Sequence, residues 1–221
     1  MNKALWSALI ISLLLGVEAR AQTQQDGAVP INGGLRSVFV KPVTRIPSPE
    51  QPDPAGLVTI YSNLGKGDNV YNANAGSGIL GPDTGQPWPE SVACAFIPKA
   101  DHTVTEIRVG TTYSTGTNSI VVSLNPDNGG KPGKTIHAWK FTNLPSFGSC
   151  CTVQTGRLSK GVQVKKGKQY WVVVRPTTAG TDTWAIWNDN FQELQGTFSN
   201  NIGSGWDTSF QVLGAFGVFG R

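Results

Sequence analysis

Helical patterning is the first thing this chain lacks. After an apolar stretch at its start, none of its 221 residues fall into a sustained helical period of apolar positions, which argues against bundles and coiled coils. Charge is also scarce, at 14% of residues. The formal charge of +4 falls to about +3 once a leader carrying Lys3, Glu18 and Arg20 is set aside. The one dense basic run, Lys165, Lys166 and Lys168 around Gly167, reads as a solvated turn. Nucleic-acid binding needs a broader basic stripe, so no nucleic-acid partner is expected. No segment repeats at a fixed period.

Catalytic patterns are missing too. There is no G-x-S-x-G, no H-E-x-x-H and no Cys–His signature. His102 and His137 stand outside any Cys/His metal spacing. Beyond the leader the glutamates are Glu50, Glu90, Glu106 and Glu193. A glycosidase pair drawn from Glu90, Glu106, Glu193 and the aspartates is the least favoured reading. The chain is expected not to be an enzyme.

Only three cysteines occur: Cys94, Cys150 and Cys151. Adjacent cysteines bridge each other only with strain, so the expected disulfide joins Cys94 to Cys150 or Cys151 and leaves one thiol over. Free thiols, or metal and redox chemistry, are the alternatives.

What is present points outward from the cell and toward β structure. Residues 1–21 have a basic start, an apolar core and Ala19-Arg20-Ala21 before a cleavage point. This is the layout of a secretory signal peptide, too short in its apolar part for a comfortable membrane span. Cleavage would leave no membrane-spanning segment; an uncut N-terminal anchor is the alternative. Residues 22–56 hold Pro30, Pro42, Pro47, Pro49, Pro52 and Pro54 and read as a Pro-rich linker or arm. Within it, LRSVFV (35–40) has the pattern of an edge strand.

Residues 57–221 read as one β-sandwich domain. Glycine (27) and proline (14) punctuate short β-branched and aromatic runs. Strands are expected at 57–61, 91–97, 104–113, 119–124, 135–142, 153–164, 168–176, 183–188 and 209–219, with a long loop over 63–88. NPDNGGKPGK (125–134) is a hairpin loop, because Asn-Gly and Gly-Gly supply positive φ and Pro132 cannot extend a ladder. KQYWVVVRP (168–176) is apolar on both faces, as a central strand should be. The expected fold is an all-β antiparallel sandwich of jelly-roll type with about eight or nine strands.

Several stretches occur together in a telling order. They are Ala95-Phe96, Asp127-Asn128-Gly129-Gly130-Lys131-Pro132-Gly133, Lys168-Gln169-Tyr170-Trp171-Val172-Val173, Thr183-Trp184-Ala185-Ile186-Trp187, Trp206 and Ala215-Phe216-Gly217-Val218. From residue 57 onward the chain resembles the choice-of-anchor R domain of secreted bacterial proteins. That resemblance implies a bacterial-surface β-sandwich without established catalytic residues. Members usually carry a C-terminal sorting signal. This chain departs from that pattern at Phe219-Gly220-Arg221, with no LPxTG or PEP motif, so release or non-covalent retention is expected.

The candidate ligand-binding residues are Trp88, Trp187, Asn188, Asp189, Trp206 and Asp207. An exposed Trp beside Asn or Asp can stack on a sugar ring while its neighbours bond hydroxyls. Packing in the core or at its rim is the competing reading for Trp187 and Trp206. Calcium would find oxygens at Asn125, Asp127 and Asn128, or at Asp189 with Asp207, but neither set has EF-hand spacing, and turn chemistry accounts for the first. No cofactor is expected.

The leading expectation is a secreted, extracellular, non-catalytic protein with a structural or surface/matrix role, partnered by polysaccharide or other matrix components. A carbohydrate-binding module is the alternative, and a glycoside hydrolase comes third.

Overall fold

In a computed structural model of the chain, residues 27–31, 34–40 and 56–221 are described. The proposed signal segment and most of the Pro-rich arm lie outside them. In chain order the strands are β1 (Gly27–Ile31), β2 (Gly34–Val40), β3 (Val58–Ser62), β4 (Ala75–Leu80), β5 (Ser91–Phe96), β6 (His102–Val109), β7 (Thr111–Thr115), β8 (Ser119–Pro126), β9 (His137–Thr142), β10 (Gln154–Val164), β11 (Tyr170–Pro176), β12 (Trp184–Asn188), β13 (Gln195–Asn201), β14 (Trp206–Val212) and β15 (Phe216–Gly220). The only helical element among the described residues is a single 3₁₀ turn at Gly67–Asn69.

The fold is an all-β sandwich. One layer is a six-stranded antiparallel sheet, ordered β14-β13-β5-β11-β8-β9. Facing it are a four-stranded sheet, β10-β6-β15-β3, and a sheet ordered β1-β2-β4-β12-β7. Most connections carry the chain from one layer to the other, the habit of jelly rolls. The core between them takes Cys94, Phe96, Val172, Val174 and Phe198 from the first layer. The facing sheets contribute Ile79, Val104, Ile107, Trp187, Phe216 and Val218.

β11 is the central strand its double-faced pattern predicts. It pairs with β5 and β8. Tyr170, Val172 and Val174 enter the main core, while Trp171 and Val173 pack on the opposite face with Ala93 and Ala95. LRSVFV falls in β2, which lies between β1 and β4 and so is not an edge.

Residues 57–221 contain thirteen strands, β3 to β15, not eight or nine. Two of the additional four come from runs that bend. Gly110 separates β6 from β7, because a Cβ there would come within 2.6 Å of the Tyr71 ring. Gly214 separates β14 from β15 at the point where the chain changes layer. The other two are β4 and β13. β4 (AGSGIL) sits inside the expected long loop, because its small residues carry little β propensity. They are needed there: a Cβ on Gly76 would sit 2.4 Å from the Trp187 carbonyl oxygen.

Candidate functional site

The Trp-Asn-Asp-Asn run at the end of β12 is the strongest binding signal in the sequence, and the fold turns it inward. β12 is hydrogen-bonded on both sides, to β4 and β7. Trp187 is fully buried. Its indole N–H donates to the Ala215 carbonyl at 2.9 Å, and its ring meets Phe216 edge-on with centroids 5.9 Å apart. Asn188 is fully buried as well. Its Oδ1 accepts from the Thr112 hydroxyl at 2.7 Å, and its Nδ2 donates to the Asn72 carbonyl at 2.9 Å. Asp189 is buried and forms a bridge to Gly214. Asn190 Nδ2 donates to the Leu194 and Leu213 carbonyls, and its Oδ1 accepts from the Leu194 amide. Trp187 and Asn188 are therefore not ligand contacts. Buried backbone groups need partners, and these side chains supply them where β12, β15 and the Asn72 turn converge.

Trp206 and Asp207 lie elsewhere, at the start of β14. Trp206 is partly buried against Trp171, Val173, Ala93 and Ala95. Asp207 is exposed, and its carbonyl accepts from the Ser199 hydroxyl at 2.9 Å. Residues two apart on a strand share a face, so Trp206, Thr208 and Phe210 line the outer face of this edge strand; Phe210 is 62% exposed. Gly214, the bridge partner of Asp189, is seven positions beyond Asp207, or roughly 20 Å along an extended chain. The expected Asp189–Asp207 pair is thus not brought together. Trp88 is half-buried, in the turn before β5.

The hairpin between β8 and β9 reaches back over the outer face of the six-stranded sheet. Asp127 is its brace. Its Oδ1 accepts from Trp171 Nε1 and Gln169 Nε2, each at 2.8 Å, and its Oδ2 accepts from the Gly130 amide at 3.0 Å. Burial pushes the carboxyl pKa up, but the Gly130 amide, the Trp171 indole and the Gln169 amide outweigh it and hold the group below the ordinary Asp value. Asn125 bonds Ser123, Gly133 and Thr135. The oxygens of Asn125 and Asp127 offered to calcium thus serve the turn itself.

The polar centre that sequence reasoning did not find lies on the outer face of the four-stranded sheet. Glu106 is buried. Arg108 Nε approaches one of its oxygens at 2.6 Å and Arg157 Nε the other at 2.9 Å. The Arg108 guanidinium also lies over the Phe219 ring, 4.5 Å from its centroid. One carboxylate thus serves two guanidinium groups.

Arg157 leads into an open cleft of about 300 Å³ where the edge strands β9 and β10 meet. His137, Arg157, Leu158, Ser159, Lys160, Gly161 and Val162 line it. A bulge makes it. Arg157 pairs with Glu106 and Val162 with Val104, so five steps on β10 span two on β6. Gly161 has φ +70°, and a Cβ there would stand 2.4 Å from Thr103 Cγ2. Beneath the cleft Trp139 donates to the Arg157 carbonyl at 3.1 Å and stacks edge-on with His137, centroids 4.7 Å apart. The only sequence hint is Ser159-Lys160-Gly161, a turn signal inside a strand.

Cysteine pairing also differs from expectation. Cys150 and Cys151 are joined to each other. They sit in the loop before β10, in a small cluster with Tyr71, Ala73 and Ala215. Cys94 faces the main core from the middle of the six-stranded sheet and takes no part in that bond. The sandwich fold keeps the two positions in separate clusters, which the spacing in sequence does not reveal.

No family model, curated protein or solved structure matches the chain. The fold and its surface define a class only: an antiparallel β-sandwich with a basic cleft along one open edge.

Proposed function

We propose that this chain is a secreted, non-catalytic β-sandwich protein with a structural role at a cell surface or in an extracellular matrix, of the kind the choice-of-anchor R resemblance implies. The observation that carries the reading is where its polar side chains go. Asn188, Asn190, Asn63 and Asp127 each bridge separate segments through two or more hydrogen bonds. Glu106, a buried member of the glycosidase candidates, is held by two arginines. A hydrolase built on it would have to release that carboxylate first. Such side chains favour a scaffold over a turnover site, and the leader in the sequence favours export.

A second reading, a carbohydrate-binding module, draws on one observation: Trp206 and the exposed Phe210 share the outer face of an edge strand. Cosedimentation of the chain from Gln22 onward with extracellular polysaccharide tests both. The first reading expects retention that survives Trp206→Ala. The second expects Trp206→Ala to abolish it. Retention of neither form on any matrix fraction overturns both.

A further inference from the structure

The cleft between β9 and β10 is built by a departure from regular pairing, and the inner sides of Leu158 and Val162 pack against the main core. The bulge opens the β10–β6 ladder between Arg157 and Val162. Such irregularities often serve to re-aim side chains near a site. Lys160, Arg157 and His137 line the same cleft here. None of the lining residues is acidic. Glu106 lies behind Arg157 and pairs with Arg108 as well. The Arg157 side chain is 63% exposed, which leaves its outer nitrogens open to a ligand. Leu158 and Val162 supply an apolar wall beside these cations. A volume of about 300 Å³ is at the lower end of small-ligand sites.

We infer that this cleft binds the anionic group of an acidic polysaccharide: the charge sits against Arg157 and Lys160, and the C–H face of the sugar ring against Leu158 and Val162. The polymer class rests on the matrix reading above, whereas the anion preference rests on the cleft alone. Guanidinium and ammonium groups both bind oxyanions, Arg through a fork and Lys as a point charge. Carboxylate and sulfate are therefore the two sources of this chemistry.

The test is affinity electrophoresis of the chain from Gln22 onward through gels containing polygalacturonate, dextran sulfate, dextran or poly-L-glutamate. Retardation is expected in polygalacturonate or dextran sulfate but not in dextran, and should fade as salt is raised. Whichever of the two retards more identifies carboxylate or sulfate as the preferred group. Lys160→Gln should weaken retardation about fivefold, the size of one exposed charge contact, and His137→Ala should weaken it too. Lys168→Gln, in the separate basic turn, should not. Far-ultraviolet circular dichroism checks that each variant is folded; should His137→Ala fail to fold, Lys160→Gln and Lys168→Gln decide. No retardation by either acidic polysaccharide overturns the inference. So does equal loss in Lys160→Gln and Lys168→Gln, which would mean diffuse charge attraction, or binding to poly-L-glutamate alone, which would point to acidic protein. In any of these cases, retention on native matrix would leave the structural reading standing.

Discussion

Trp171, at the centre of the six-stranded sheet, donates its indole N–H to the Asp127 carboxylate across 2.8 Å. This bond ties the β8–β9 hairpin to the outer face of the sheet, and Thr208 adds a second tie by donating to the Gly130 carbonyl. Truncating Trp171, which is fully buried, should cost about 3–5 kcal/mol. Urea titration of Trp171→Ala checks this, and a loss well below 1 kcal/mol would mean that the hairpin and the second face contribute little.

Asp127→Ala should cost about 1–3 kcal/mol at neutral pH, because it leaves the Trp171 donor without its acceptor. The pH dependence has a definite sign. The Asp127 carboxyl is held below its ordinary value in the fold, so its contribution is present above about pH 4 and is lost as pH falls through the lowered value. The gap between wild type and Asp127→Ala should therefore narrow on acidification. A gap constant from neutral pH down to strong acid would remove Asp127 as an ionised brace.

At the alkaline end two tyrosines act together. Burial, followed by the nearby Cys94, pushes the Tyr61 phenol up to about 12. Burial also raises Tyr71, partly offset by a hydrogen bond with the Thr152 backbone. Both contributions are complete below the unfolded tyrosine value of about 10 and decline as pH rises past it. Ultraviolet difference titration should show these two phenols ionising only with unfolding. Free ionisation of all four tyrosines in the folded state near pH 10 would contradict their burial.

Unreduced peptide mapping should find Cys150 and Cys151 within one bonded peptide, with alkylation of Cys94 only after denaturation, since Cys94 is buried. A peptide linking Cys94 to either of the others would restore the pairing expected from spacing.

Much of the fold can be read from the sequence, because β-branched runs between Gly and Pro turns announce strands directly. β5, β8, β9, β11 and β12 fall where alternation and turns place them. β4 is not legible, since Gly76 serves close approach to β12 and glycine carries no strand signal. The binding signal at Trp187 misleads for a related reason. Asn and Asp beside Trp look the same whether they face a sugar or an orphaned backbone carbonyl. The run Trp184–Trp187, apolar on both faces like β11, is the better guide, and it marks a central strand. The cleft depends on a bulge, whose only trace in the sequence is Gly161 within a strand.

Gly214 supplies an independent check on the buried Trp187. A Cβ at this position would come within 2.6 Å of three indole atoms. Gly214→Ala should destabilise by about 1–3 kcal/mol, as overpacking does. Neutrality, by thermal unfolding, would mean that the indole has room to move and that the interior reading of this station is wrong.

The proposed role requires the chain to hold matrix material without cleaving it. Its most direct test is a time course of reducing-end release from a panel of extracellular polysaccharides, run alongside binding to the same panel. Binding to at least one acidic member is expected, with no release above the protein-free control. Release of reducing ends that disappears in Glu106→Gln, with the fold intact, would contradict it and make the buried glutamate a catalytic group.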